Sequence, residues 1–151
     1  MHKQHYGHLA IMTGLSFVAM FILMYAMVDR FANVYPNINQ FYMAGLMAAP
    51  MVVIELLVMR GMYSDTRMNL ILGSAALVAL ALFFVGIRAQ TAVGDVQFVK
   101  SMIPHHSGAI LMCERSEIAD SELKKLCGEI VQGQQQEIDQ MKQILARLKS
   151  G

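Results

Sequence analysis

Charge is scarcest where this sequence begins. The first 87 residues carry seven charged side chains, and the remaining 64 carry sixteen, eight of each sign. With 56% hydrophobic and 15% charged residues the chain does not suit an ordinary soluble domain. Net charge is +1 overall and zero past residue 87, so no basic surface for nucleic acid is present. Other chemistry is missing too. No nucleophile–base pair and no nucleotide-binding loop can be read, which argues against an enzyme. No Glu precedes a His by three residues, so the Glu-x-x-His pairs of a di-iron bundle are absent. With two cysteines and five histidines, a closed zinc set is poorly supplied.

Long apolar runs are what the first half has instead. Residues 9–28 hold no charge, 41–59 hold only Glu55, and 69–87 hold none. At about 1.5 Å per residue each run reaches roughly 30 Å, the thickness of a bilayer's hydrocarbon core. The first run is longer than the ~7–15 residues of a signal-peptide core, and no small-x-small cleavage site follows it. Three membrane spans over residues 1–88 are therefore expected, with 89–151 outside the bilayer. Flanking charge leaves orientation undecided: Lys3, Arg60 and Arg67 on one side balance Arg30, Arg88 and Lys100 on the other.

The tail has helical periodicity. Val99, Met102, His106, Ala109 and Cys113 recur at steps of three and four, predicting a helix from an Asp95 N-cap to about Glu117. Asp120 is the expected N-cap of a second helix running to about Lys149. Its expected seam is Cys127, Ile130, Gln134, Glu137, Met141, Ile144 and Leu148. A turn near 118–121 makes the pair an antiparallel hairpin in which positions summing to about 240 face each other. This sets His106 near Gln134 and Glu137, Met102 near Ile138 and Met141, and Cys113 opposite Cys127. About 55 residues bury little core alone, so the expected fold is all-α: three transmembrane helices, then half of a four-helix bundle that a second copy completes.

Imidazole and thioether are the unusual chemistry, with fourteen methionines beside the five histidines. Together these ligands favour copper over harder ions. His106 shares a face with Met102, whereas His105 points about 100° away and suits a neighbouring subunit. The plainer reading is a satisfied polar network of His, Gln134 and Glu137 that fixes helix register. Pro104 should kink the helix just before the histidines. Cys113 and Cys127 are open to three readings: a disulfide, a thiolate pair for Cu(I), or two buried thiols. Met20, Met24 and Met27, and then Met43, Met47, Met51 and Met59 with Glu55, form faces that are more simply packing than a copper path. His2, His5 and His8 read as an exposed interfacial tail.

The stretch from Phe98 to Met112, with its M-I-P-H-H-S-G-A-I-L-M core, joined to Gln135-Gln-Glu-Ile-Asp-Gln-Met141, resembles the domain-of-unknown-function 305 family. The likeness is seen from about Asp95 to Leu148. It implies a ferritin-like helical shape and, from some bacterial members, periplasmic copper binding through Met102, His105, His106, Met112 and Met141, with Glu137 as an outer partner beside the seam residue Gln134. It also implies a bacterial inner-membrane protein with its N-terminus cytoplasmic, its hairpin periplasmic, and other copper-handling proteins as partners. Ser121 stands where the family commonly has proline, and one hairpin is present rather than two, which favours a homodimer.

Overall fold

The structure is a computed structural model that describes residues 2–150, with side chains from residue 4 onward. Its regular elements are helical: α1 His2–Leu23, α2 Ile38–Val58, α3 Thr66–Arg88, α4 Asp95–Arg115 and α5 Ser121–Ser150, with no strand among the described residues. Two short 3₁₀ turns, Met24–Met27 and Phe31–Asn33, follow α1. The all-α expectation holds.

Three helical segments are long and apolar enough to cross a membrane: Gln4–Met27, Ile38–Val58 and Thr66–Arg88. Each begins before the span read from charge, at 4, 38 and 66 rather than 9, 41 and 69, because helix continues through polar flanks that hydropathy ignores. His5, half-buried, and His8, exposed, lie on the first turns of α1, and the side chain of His2 lies outside those described.

The chain divides into two compact units. One holds 1–24 and 39–91; the other holds 25–38 and 92–151. The segment 25–38, which joins α1 to α2, thus belongs with the hairpin. In the first unit α2 and α3 approach closely through glycine. A side chain on Gly45 would collide with the Phe83 ring, and one on Gly86 would press on Tyr42. Tyr42 donates to the Thr91 carbonyl at 2.7 Å, and Asn39 and Gln90 exchange side-chain bonds at 3.0 and 3.2 Å. Glu55, the one carboxylate within a span, accepts from the Tyr63 hydroxyl at 3.3 Å.

In the second unit the core is Val99, Ile103, Ile110, Ile138 and Leu145, with Val96, Val131, Met141, Ile144 and the segment's Tyr35 against it. This corrects the predicted seams. On α4 the inward line is Val96, Val99, Ile103, His106, Ile110 and Cys113, of which Val99, Ile103 and Ile110 are buried; Ile103 and Ile110 stand where Met102 and Ala109 were expected. On α5 it is Cys127, Val131, Gln134, Ile138, Met141, Leu145 and Leu148, of which Ile138 and Leu145 are buried, so Val131, Ile138 and Leu145 stand where Ile130, Glu137 and Ile144 were expected. Both patterns fit a heptad. Burying isoleucine gains transfer free energy, whereas burying a carboxylate costs several kcal/mol by estimate, on the order of the effective ion penalty.

The hairpin ends are set locally. Gly94, not Asp95, is the N-cap of α4, and Asp95 occupies the first turn, where its charge suits the helix dipole. Asp120 caps α5 as expected, accepting from the Leu123 amide at 2.8 Å. Asp120→Ala should destabilise the hairpin by about 1 kcal/mol. Hydrogen exchange should rise first at the amides of residues 122–125.

Candidate functional site

α4 passes Pro104 without breaking. Proline has no N–H for the carbonyl of Lys100, four residues back. That carbonyl instead accepts from Asn37 Nδ2, at a long 3.4 Å, and the neighbouring Ile38 amide donates to Gln97 Oε1 at 3.1 Å. Pro104 therefore leaves a docking point for the 25–38 segment.

One turn on, a second attachment is stronger. The Asp29 amide donates to Ser107 Oγ at 2.8 Å, and the Ser107 hydroxyl donates back to Asp29 Oδ1. Asn33 Nδ2 also donates to Oδ1, at 2.7 Å, and Arg30 Nε pairs with Oδ2 at 2.9 Å. The Asp29 side chain is only 3% exposed. Burial pushes its pKa up, but the bonds from Ser107 and Asn33, with the backbone and charge of Arg30, outweigh this and hold it below its ordinary value. Gly108 lies under the Met27 carbonyl, 3.4 Å from where a Cβ would stand. In the His-His-Ser-Gly run, Ser107 and Gly108 thus serve the segment while the histidines face other ways.

His106 occupies the seam with its side chain 13% exposed. Its Nδ1 is 2.9 Å from Glu137 Oε2, without the alignment of a hydrogen bond. Glu137 is 55% exposed, so it reaches the histidine from the edge of α5 rather than from the seam. Gln134, the seam position opposite His106, is half-buried. By heptad register His106 and Gln134 fall between the apolar positions Ile103 and Ile138 on one side and Ile110 and Val131 on the other.

The remaining candidates separate. Met102 is half-buried one turn before His106 on the same face, and Met141 packs against the core. His105 is exposed, with its ring centroid 6.2 Å from that of His106. Met112 is also exposed, and seven residues after His105 it shares the outer face of α4, about 10 Å along the axis. Six residues from His106, Met112 cannot join it on one face. Among the described residues no three His, Cys, Asp or Glu side chains gather as a metal-binding group. A metal at His106 would therefore need thioether ligands beside imidazole and carboxylate. Cys113 and Cys127 are joined as a disulfide with Cα atoms 5.3 Å apart.

The sequence reading missed Asp29 and Asn33. Their only signal was an acidic residue just beyond an apolar run. Pairing it with Ser107, 78 residues away, has no local pattern.

These helices match the family described as Domain of unknown function (DUF305) over residues 56–145. The chain belongs to that family. The match extends well beyond the tail, correcting the narrower resemblance: DUF305 here takes in the end of α2 and all of α3 as well as the hairpin. The 25–38 segment lies outside the DUF305 match. A relative, "Uncharacterized protein L153" of Acanthamoeba polyphaga mimivirus, is 31% identical over 142 residues, covering 92% of this chain and 91% of that protein. No solved structure matches the chain.

Proposed function

We propose that this protein is a membrane-anchored copper-binding protein whose hairpin holds copper for homeostasis or sequestration. The observation that carries the reading is the His106–Glu137 pair across the seam, 2.9 Å apart, with Met102 and Met141 on neighbouring turns. Imidazole with thioether is a soft donor set suited to copper. His105 and Met112, on the outer face, would belong to a site completed by a second copy. Exposed Phe98, Leu123 and Leu126 leave the hairpin apolar surface for that copy, as half of a four-helix bundle would have. The disulfide favours an oxidising compartment. On this reading the protein sits in a bacterial inner membrane with the N-terminus cytoplasmic and the hairpin periplasmic, within reach of other copper-handling proteins. The full chain, purified in detergent, is titrated with Cu(I) against a competing chelator. Met102→Leu with His106→Ala should weaken binding at least tenfold; equal affinity in parent and variant would sink the assignment.

The second reading is a structural module in which His106, Gln134 and Glu137 fix the register and oligomeric state of the hairpin without metal. The direct His106–Glu137 contact favours it, since a buried polar layer can specify pairing at a cost in stability. Here His106→Ala changes the oligomer size seen by light scattering, equally with and without a chelator.

A further inference from the structure

The first unit contains a cavity of about 510 Å³ that DUF305 membership and the copper reading do not use. Its wall comes from α1, α2 and α3, from Tyr6 to Phe17, Gly45 to Val52 and Leu72 to Phe83. Gly14, Ala48, Ala76 and Ala79 keep it open, and the wall is almost wholly apolar. The cavity opens on the flank of helices that are long enough to span a bilayer. Water would find too few polar partners there to be held. Hydrocarbon is the solvent at that depth, and an apolar void of this size takes up hydrocarbon.

Its dimensions select the occupant. Tyr6 to Phe17 on α1, and Leu72 to Phe83 on α3, each cover about 16 Å at the helical rise, so the space, counted out to its walls, averages about 9 Å across. An α-helix with side chains is about 10–12 Å wide and does not fit. A polymethylene chain, with carbon contacts of about 3.5–4.0 Å, does. The length is also about half of a roughly 30 Å hydrocarbon core, the depth of one leaflet.

The two ends differ in the way a single lipid requires. The deep end is closed by aromatic rings: Phe41 packs edge-on against Phe17 at 5.2 Å and against Phe83 at 5.8 Å. The other end is polar. Tyr6 donates to Asn69 Oδ1 at 2.7 Å and reaches the Asp65 carbonyl at 3.3 Å, placing that mouth at the start of α3. Arg67, in the first turn of α3, is exposed there, and Arg60 lies on the short connection before it. Their charge complements a phosphodiester.

We infer that this groove binds one acyl chain of an anionic phospholipid, drawn from the leaflet that meets the first turns of α1, with the headgroup at the Tyr6 end. The full chain is reconstituted into phosphatidylcholine vesicles containing phosphatidylglycerol, released into mild detergent and weighed by native mass spectrometry. One phosphatidylglycerol per chain should stay with the parent. Gly14→Leu is the first variant, because a side chain begun there meets nothing within 4 Å and so need not disturb the helices. Ala79→Leu is the second. Each should retain at least tenfold less lipid at unchanged helix content by circular dichroism, and Arg67→Gln should lower the preference for phosphatidylglycerol over phosphatidylcholine. Equal retention by parent and both filled variants overturns the proposal, as does a parent that retains no lipid. So does a filled variant that alters self-association while lipid retention stays constant, since the groove would then be a helix contact.

Discussion

Asp29→Ala is expected to destabilise the hairpin unit by about 3 kcal/mol, a large share of a domain's roughly 5–15 kcal/mol. The carboxylate is nearly fully buried and takes bonds from Ser107, Asn33 and Arg30. Alanine leaves Ser107 and Asn33, both fully buried, without that acceptor. Buried donors that lose a partner keep their desolvation cost, about 1–3 kcal/mol each. Asp29→Asn should cost less, because an amide oxygen can still accept from one donor. Hydrogen exchange of the full chain, read on the α4 amides around Ser107, measures the loss directly. The pH dependence has a definite sign. The folded-state pKa of Asp29 is lowered, so its contribution is fully present above the unfolded carboxylate value, about 3.9, and is lost as pH falls through the lower folded value. Protection should hold from pH 7 to about 5 and decline below about 4. Asp29→Asn should remove that acid step while leaving protection near neutrality pH-independent; an undiminished step in the variant would assign the effect to another group.

The apolar runs made the three membrane helices legible, because length and missing charge are local properties of sequence. The hairpin was legible for a similar reason: Asp120 stands where a cap must, and the fold-back puts Cys113 opposite Cys127 and His106 beside Glu137. The seam was misread by one position at five places, Met102 and Ala109 on α4 and Ile130, Glu137 and Ile144 on α5. Met102 and Ile103 are both apolar and adjacent, and so are Glu137 and Ile138 in placement though not in polarity. A heptad tolerates either neighbour, and only burial energies across both helices choose isoleucine. The family resemblance grouped Met112 with His106, although six residues on a helix set them on different faces. Pro104 reads from sequence as a kink just before the histidines, and its freed carbonyl at Lys100 meets Asn37. That role depends on a partner 63 residues away, as the Asp29–Ser107 anchor depends on one 78 away. Neither long-range pairing has a period or spacing that a single sequence could display.

Reducing the Cys113–Cys127 disulfide should cost the hairpin about 3 kcal/mol, the chain-entropy value for a loop of roughly 15 residues. The bond closes a 14-residue separation around the α4–α5 turn. Its physical effect is on the unfolded hairpin, whose helix ends can no longer diffuse apart. It also bears on the polar layer. Cys113 lies seven residues, or about 10 Å, along α4 from His106, on the same seam. The Ile103, Ile110 and Ile138 contacts nonetheless remain after reduction, so native pairing should persist at 25 °C rather than collapse. Hydrogen exchange with and without dithiothreitol should therefore show the largest gain at the turn-proximal ends, residues 110–115 and 121–131. A smaller gain is expected around His106 and Glu137. If the disulfide holds the register of the His106–Glu137 pair, reduction should also weaken Cu(I) binding, and Cys113→Ala with Cys127→Ala should reproduce that loss. Undiminished copper affinity in the double variant would show that the apolar layers alone set the register. Tighter binding in the reduced parent, absent from the double variant, would instead assign copper to the two thiolates.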